Sequence, residues 1–283
     1  MKMKKVSHSE ITTYLDCQKK WEIQYIKKHK VDNIHFQFGS MGHKVLETRE
    51  IPDETLYPDL KEAFSITSWK DYFTNILDEI DDYFQDYEVL HREYKVESDD
   101  MIGVIDVVWR NKQTGRILIT DYKFSNSNKD NEDILLDEQM YIYAVIYANM
   151  NGLTLDDIDI GYINIPKAEM NKPRILKNGQ LSKDKAQNVT YKKYIETISE
   201  LNLDMAEYID FLSEISGRTL IKVSISPINV DMAIRIMTNI DNVIKDMQKG
   251  YVLEKCTFMC KKCDFLQYCK YGKEIKKENE DVL

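Results

Sequence analysis

The stretch from Gly103 to Lys123 constrains this chain more than any other. Gly103 to Trp109 and Ile117 to Lys123 are apolar runs joined by a polar, glycine-containing turn, Asn111 to Gly115, which is the pattern of a β-hairpin. Each run nevertheless carries ionisable groups: Asp106 in the first, Asp121 and Lys123 in the second. Side chains alternate along a strand, so Asp121 and Lys123 share one face and Tyr122 takes the other. Hairpin pairing can bring Asp106 beside them. Such charges are expensive to bury unless they are paired or bound to a metal. Adjacent carboxylates repel, a divalent cation relieves that repulsion, and oxygen donors suit Mg²⁺ or Mn²⁺. The alternative, ordinary surface pairs, conflicts with the apolar composition of both strands.

A chain of 283 residues holds one large core or two modest domains. It has no apolar run approaching the ~20 residues of a membrane span, and its polar N-terminus lacks a signal-peptide core. Five cysteines without a secretion signal suit a cytoplasmic protein in which clustered thiols bind metal. The net charge of −9 is unevenly spread. Within residues 1–30, eight lysines against Glu10, Asp16 and Glu22 leave +5. Within 255–277, seven lysines against Asp264 and Glu274 also leave +5. The last six residues carry −3, so residues 31–254 carry −16. Basic ends on an acidic body can form a local phosphate-binding surface; they can equally be solvated tails.

The periodicities predict a helix from Ser9 to Ile26 containing Cys17, which on its own reads as a small buried hydrophobe. A second helix starts near Ser40, with His43 and Glu47 four apart on one face; a lone helical histidine is usually structural. Residues 59–90 read as two helices with an apolar stripe through Trp69, Phe73, Ile76 and Ile80. A strand at His91 to Val96 precedes the hairpin. Ile134 to Met150 is predicted as one helix capped at Asn151 and Gly152, with Gln139 and Tyr143 sharing a face. Ile158 to Ile165 alternates as a strand, a candidate parallel neighbour of the hairpin with that helix as crossover. Residues 167–189 read as an exposed loop, Tyr191 to Leu201 and Leu203 to Ile215 as helices, Ile221 to Ile228 as a strand, and Met232 to Met247 as a helix.

Cys256, Cys260, Cys263 and Cys269 lie within fourteen residues, a strong metal signal. A zinc ion could use all four thiolates. An iron–sulfur cluster also needs four and could take three from here and Cys17 from upstream. Spacing does not choose between them.

These elements, in this order, resemble the PD-(D/E)XK nuclease superfamily, specifically its RecB-like branch with an iron–sulfur cluster, which includes CRISPR-associated exonucleases. The matching residues are Ser9 to Cys17, Gly42 and His43 with Glu47, Gly103 to Asp106, Asp121 to Lys123, Gln139 with Tyr143, and Cys260, Cys263 and Cys269. The resemblance implies an α/β fold: a mixed central sheet flanked by helices, a restriction-endonuclease-like core. It implies a single nuclease domain over 1–283 with its catalytic core at 90–166, and a helical lobe built from 1–30 and 250–275. Cys17, Cys260, Cys263 and Cys269 would ligate a 4Fe-4S cluster, with Cys256 spare. His43, Asp106, Asp121 and the carbonyl of Tyr122 would bind Mg²⁺ or Mn²⁺; Lys123 would assist the attacking water, and Gln139 and Tyr143 would support the site and the DNA backbone. Phe124 departs from the small residue that often follows the lysine. The implied activity is a metal-dependent deoxyribonuclease, an exonuclease on single-stranded DNA or DNA ends in recombination, replication or end processing. The competing reading is a non-catalytic nucleic-acid-binding adaptor with a C-terminal zinc module, which needs Cys256 and not Cys17.

Overall fold

The hairpin forms as its alternation demands and becomes the middle of a five-stranded sheet. The computed structural model describes residues 4–31, 33–125, 129–169, 171–187, 189–250, 260 and 263–269. Strands β1 (Tyr87–Glu97), β2 (Ile102–Asn111), β3 (Ile117–Phe124), β4 (Ile158–Ile165) and β5 (Lys222–Pro227) lie side by side in chain order. All neighbours are antiparallel except β3 and β4, which run parallel. Two helices, α6 (Asn131–Leu136) and α7 (Glu138–Asn151), supply the crossover that a parallel pair requires. The first strand extends beyond the expected His91 to Val96 at both ends and takes up residues from Tyr87 that were expected to be helical.

Helices cover both faces. On one, Val108, Ile119 and Ile160 pack beneath Met140 and Tyr141 of α7 and Ile236 and Ile240 of α10 (Val230–Gln248). On the other, Trp109, Leu118 and Ile163 pack beneath Phe38 of α3 (Ile34–Thr48), Leu60 of α4 (Pro58–Phe64) and Phe73 of α5 (Trp69–Tyr83). Among the described residues no helix is long and apolar enough to cross a membrane.

Several predicted elements take a different form, each for a local reason. The expected helix from Ser9 to Ile26 is broken at Cys17, whose backbone is extended (φ −162°, ψ 108°). It becomes α1 (His8–Asp16), capped by Ser7, then α2 (Gln18–Trp21) running into a π turn, Glu22–Ile26. Packing explains the break. It folds the buried Trp21 back so that its indole N–H donates to buried Glu10 at 3.2 Å and its ring meets Tyr14 edge-on at 5.2 Å. Helix α3 begins six residues before Ser40, because Asn33 caps it by accepting from the His35 N–H at 2.8 Å. The helix expected at Ile134 to Met150 is two, since Asp137 caps α7 by accepting from the Gln139 N–H at 2.9 Å. A side-chain acceptor there competes with continuation of the helix. Gly152, at φ +64°, ends α7 as expected.

Residues 167–189 are not simply an exposed loop. Leu181, Ser182 and Val189 are buried. Together with α8 (Tyr191–Glu200), a 3₁₀ turn (Met205–Tyr208) and α9 (Ile209–Ile215), they enclose a third small core around Tyr194, Tyr208 and Phe211. The helix expected from Leu203 to Ile215 is shortened because Asp204 caps the 3₁₀ turn instead.

Candidate active site

One row of side chains across the sheet collects the charge. Pairing of β1 with β2 matches Arg92 to Val107 and Tyr94 to Ile105, so Glu93 lies across from Asp106. Pairing of β2 with β3 ends at Val107 and Thr120, and the next step faces Asp106 with Asp121. Asp121 is matched in turn to Tyr162 of β4. Three carboxylates on three adjacent strands would repel one another in an ordinary sheet. Here the ladder opens at that point. The Asp106 carboxylate takes the place of the missing rung, accepting from the Tyr122 N–H at 2.7 Å. Glu93 adopts φ +46°, a left-handed backbone that is rare for a non-glycine residue within a strand.

Helices from both layers close on this row. From α3, His43 places Nδ1 3.3 Å from Asp106 Oδ1. From the first turn of α7, Gln139 Nε2 donates to Asp121 Oδ1 at 3.3 Å and to Tyr143 Oη at 3.1 Å. Lys123 Nζ lies 2.8 Å from Asp121 Oδ2. Behind them Asp137, the cap that splits the two helices, accepts from the Tyr162 hydroxyl and pairs with Lys129 at 3.0 Å.

The electrostatics follow the geometry. Burial, reinforced by Asp106, raises the Asp121 pKa well above the usual carboxylate range. Burial opposes the charged form of Lys123, but Asp121 outweighs it and keeps the ammonium protonated. Burial likewise opposes charge on His43, and Asp106, Asp121 and Glu93 together raise its pKa. Glu93 is itself raised, by burial and then by Asp106. Excess negative charge concentrated at a half-closed site is the condition that a divalent cation relieves. His43, Glu93 and Asp106 bring potential ligand atoms within 4.8 Å of one another. The donor set, two carboxylate oxygens and one imidazole nitrogen, is of the kind that can hold a divalent cation.

The structure brings His43, Asp106, Asp121, Lys123, Gln139 and Tyr143 together, with one addition and one rearrangement. Glu93 is the addition. Its surroundings, His91-Arg92-Glu93-Tyr94-Lys95, carry no apolar alternation or spacing that distinguishes it, and only the register across from Asp106 reveals it. The rearrangement concerns Asp121, which faces Lys123 and Gln139 and lies outside the three-residue ligand group. Tyr122 reaches the site through its backbone, and its ring packs into the opposite core. Glu47 pairs with Lys44 at 2.8 Å and stands apart from the group.

The unusual Phe124 has a steric partner. A Cβ on Gly42 would sit 2.3 Å from Phe124 Cζ, so α3 can lie over that ring only because residue 42 has no side chain. Gly103 plays the same part for Tyr143, whose Cε1 would lie 2.4 Å from an added Cβ. The two glycines set how closely α3 and α7 approach the charged row.

The cysteines lie in a second region. Cys17, Cys260, Cys263 and Cys269 are all half-buried; Cys256 lies outside the described residues. Burial pushes the Cys263 thiol up, and Cys17 and Cys260 add to the shift, whereas Lys20 opposes it. His29 and Tyr268 stack at 4.4 Å, so the C-terminal segment lies against the N-terminal one.

An acidic row with a lysine beside it, held by helices from both layers, is chemically suited to binding a divalent cation. The chain belongs to the PD-(D/E)XK nuclease superfamily, whose family model matches residues 5–270. Among solved structures it is similar to a "Putative exonuclease" from Eubacterium rectale, at 14% identity and a TM-score of 0.38, covering 90% of this chain and 91% of that one. No curated protein matches the chain.

Two predictions test this geometry. Gly42→Ala should lower stability by about 1–3 kcal/mol through overpacking, and Phe124→Leu in the same chain should restore part of that loss. Additive losses in denaturant unfolding would show that the two positions are not in contact. Glu93→Gln should weaken Mn²⁺ binding about tenfold in calorimetric titration, with the folded spectrum unchanged; unaltered affinity would remove Glu93 from the ligand group.

Proposed function

We propose that this chain is a metal-dependent deoxyribonuclease acting as an exonuclease on single-stranded DNA or DNA ends. The observation that carries the reading is the meeting of Asp106, Asp121 and Lys123 at one point of the sheet, with His43 beside Asp106. Membership of a nuclease superfamily supplies the reaction class. The substrate preference is inferred from the open cleft of about 550 Å³ that borders Asp121 and Lys123, together with the basic ends of the chain.

His43, Glu93 and Asp106 would hold a divalent ion, with Asp121 and the Tyr122 carbonyl able to complete its shell. Bound there, the ion would acidify water and neutralise charge gathering on the phosphodiester. The protein's own groups do the rest. Lys123, kept charged by Asp121, orients the attacking oxygen and stabilises the phosphoryl oxygens as they gain charge. Gln139 fixes Asp121 from behind, and Tyr143 holds Gln139. The reading treats 1–283 as one nuclease domain with its catalytic core at 90–166.

Cys17, Cys260, Cys263 and Cys269 are proposed as the ligands of a 4Fe-4S cluster in a lobe formed by 1–30 and 250–275. Support comes from the effect of Cys17 and Cys260 on the Cys263 thiol, from the extended backbone at Cys17, and from the stacking of His29 on Tyr268. Such a cluster would tie together segments separated by more than two hundred residues, and its loss would loosen the fold.

Cleavage of end-labelled single- and double-stranded DNA, with anaerobically purified protein and Mg²⁺ or Mn²⁺, tests the activity. Asp121→Ala and Lys123→Ala should each reduce cleavage about 10³-fold and lower the melting temperature, with the folded far-ultraviolet spectrum retained at 25 °C. Full activity in both variants would sink the assignment, and tight binding without cleavage would favour the adaptor reading. For the cluster, Cys17→Ser should abolish the visible iron–sulfur absorption and bound iron, whereas Cys256→Ser should leave both unchanged. The reverse pattern, with zinc in the protein, would assign a local zinc site.

A further inference from the structure

The face of α3 turned toward the cleft has two features that the catalytic reading leaves unused. Phe36 is 67% exposed and lines the cleft that also contains His43, Asp121 and Lys123. Gly39, one turn further on, occupies the middle of a fifteen-residue helix. Glycine weakens a helix interior relative to alanine, so its presence calls for a reason. Neither usual reason applies here. The backbone at Gly39 is helical, not left-handed, and among the described residues nothing lies within 4 Å of where its Cβ would project. Gly42 shows the contrast: its missing side chain makes room for Phe124. The room at Gly39 opens into the cleft.

Phe36, Gly39, Ser40 and His43 are spaced as one helix face, and all four line the cleft. Seven residues at 1.5 Å rise place Phe36 about 10 Å along the axis from His43. The core-facing side of the same helix is taken up by Phe38, Met41, Gly42 and Val45. Cations also line the cleft. Lys129 sits beside Asp137, and Lys167 Nζ lies 6.0 Å and 5.8 Å over the rings of Phe38 and Phe64. An exposed aromatic ring, a gap in the helix surface and lysines along the same walls form the combination that binds single-stranded nucleic acid: stacking for the base, cations for the phosphates.

We propose that this face of α3 is the track for a single DNA strand. The base next to the scissile phosphate stacks on Phe36. The sugar–phosphate backbone passes over Gly39, where the missing side chain lets it reach the helix surface, and continues toward His43 and Asp121. Stacking on Phe36 requires a base outside a duplex, so the track selects single strands or frayed ends. This inference rests on the nuclease reading and names the part of the site that would set its substrate class.

The test is equilibrium binding of fluorescein-labelled oligothymidine and of a blunt duplex in metal-free buffer, alongside cleavage of the same single strand with Mg²⁺. Phe36→Ala should weaken oligothymidine binding about tenfold and raise KM with kcat little changed, while Phe36→Trp retains wild-type affinity. Gly39→Leu should weaken binding at least as much, yet melt at or above the wild-type temperature, because leucine is the better helix former. Variants that bind and cleave single strands within twofold of wild type would overturn the track. Equal weakening for duplex and single strand would overturn the stacking role of Phe36. A wild-type protein that binds oligothymidine in a Phe36-dependent way but cuts nothing would overturn the nuclease reading and leave the track standing. No binding by the wild type would overturn both.

Discussion

Asp106 and Asp121 face each other on adjacent strands, with Glu93 across from Asp106 on the next strand, and much of the surrounding structure answers that repulsion. Lys123 neutralises one carboxylate at 2.8 Å, and His43 together with the Tyr122 amide stabilises the other. Removing a single partner would leave buried charge uncompensated, which is strongly destabilising. The arrangement therefore holds as a set. Burial keeps the Asp121 pKa raised even with its lysine in place, so the protein groups alone leave the negative charge only partly relieved. Where a divalent cation completes the balance, its binding and the integrity of this end of the sheet are coupled.

The two helical layers have different tasks around this row. Helix α3 comes from the layer carrying Phe38 and Trp69 and delivers His43. Helix α7 comes from the opposite layer and delivers Gln139 and Tyr143. Both approach the strands at glycines, Gly42 against Phe124 and Gly103 against Tyr143. Asp137 adds a third device. By stopping α6 and starting α7 it places Gln139 in a first helical turn, and it also collects Lys129 and Tyr162 behind the site. An uninterrupted helix from Ile134 would lack that anchor.

The insertion between β4 and β5 is built on a different principle. Its core of Tyr194, Tyr208 and Phe211 is separate from both sheet layers. The lobe still connects to the rest through Glu79 of α5, whose carboxylate, made less acidic by burial, accepts from the Leu220 and Ile221 N–H groups at 2.7 and 3.0 Å. That contact joins the lobe to the helical layer that carries α3.

The hairpin, the strand after α7 as its candidate parallel neighbour, and the acid–lysine set were legible in the sequence, because period-two alternation and misplaced charge are local signals. Asp106, Asp121, Lys123, His43, Gln139 and Tyr143 could all be named from them and from the family resemblance. Helix limits were less legible, since caps such as Asn33 and Asp137 compete with continuing periodicity and the outcome depends on what the side chain meets. Glu93 was not legible at all. Its place opposite Asp106 depends on strand register, and register is a relation between distant segments. By itself the sequence determined that charge would gather at one end of an apolar sheet, because alternation assigns faces without reference to the rest of the chain. Only the tertiary structure decided which carboxylates stand together, that Phe124 fits because Gly42 makes room, and that Phe36 and Gly39 open onto the same cleft, because each depends on how separate elements pack.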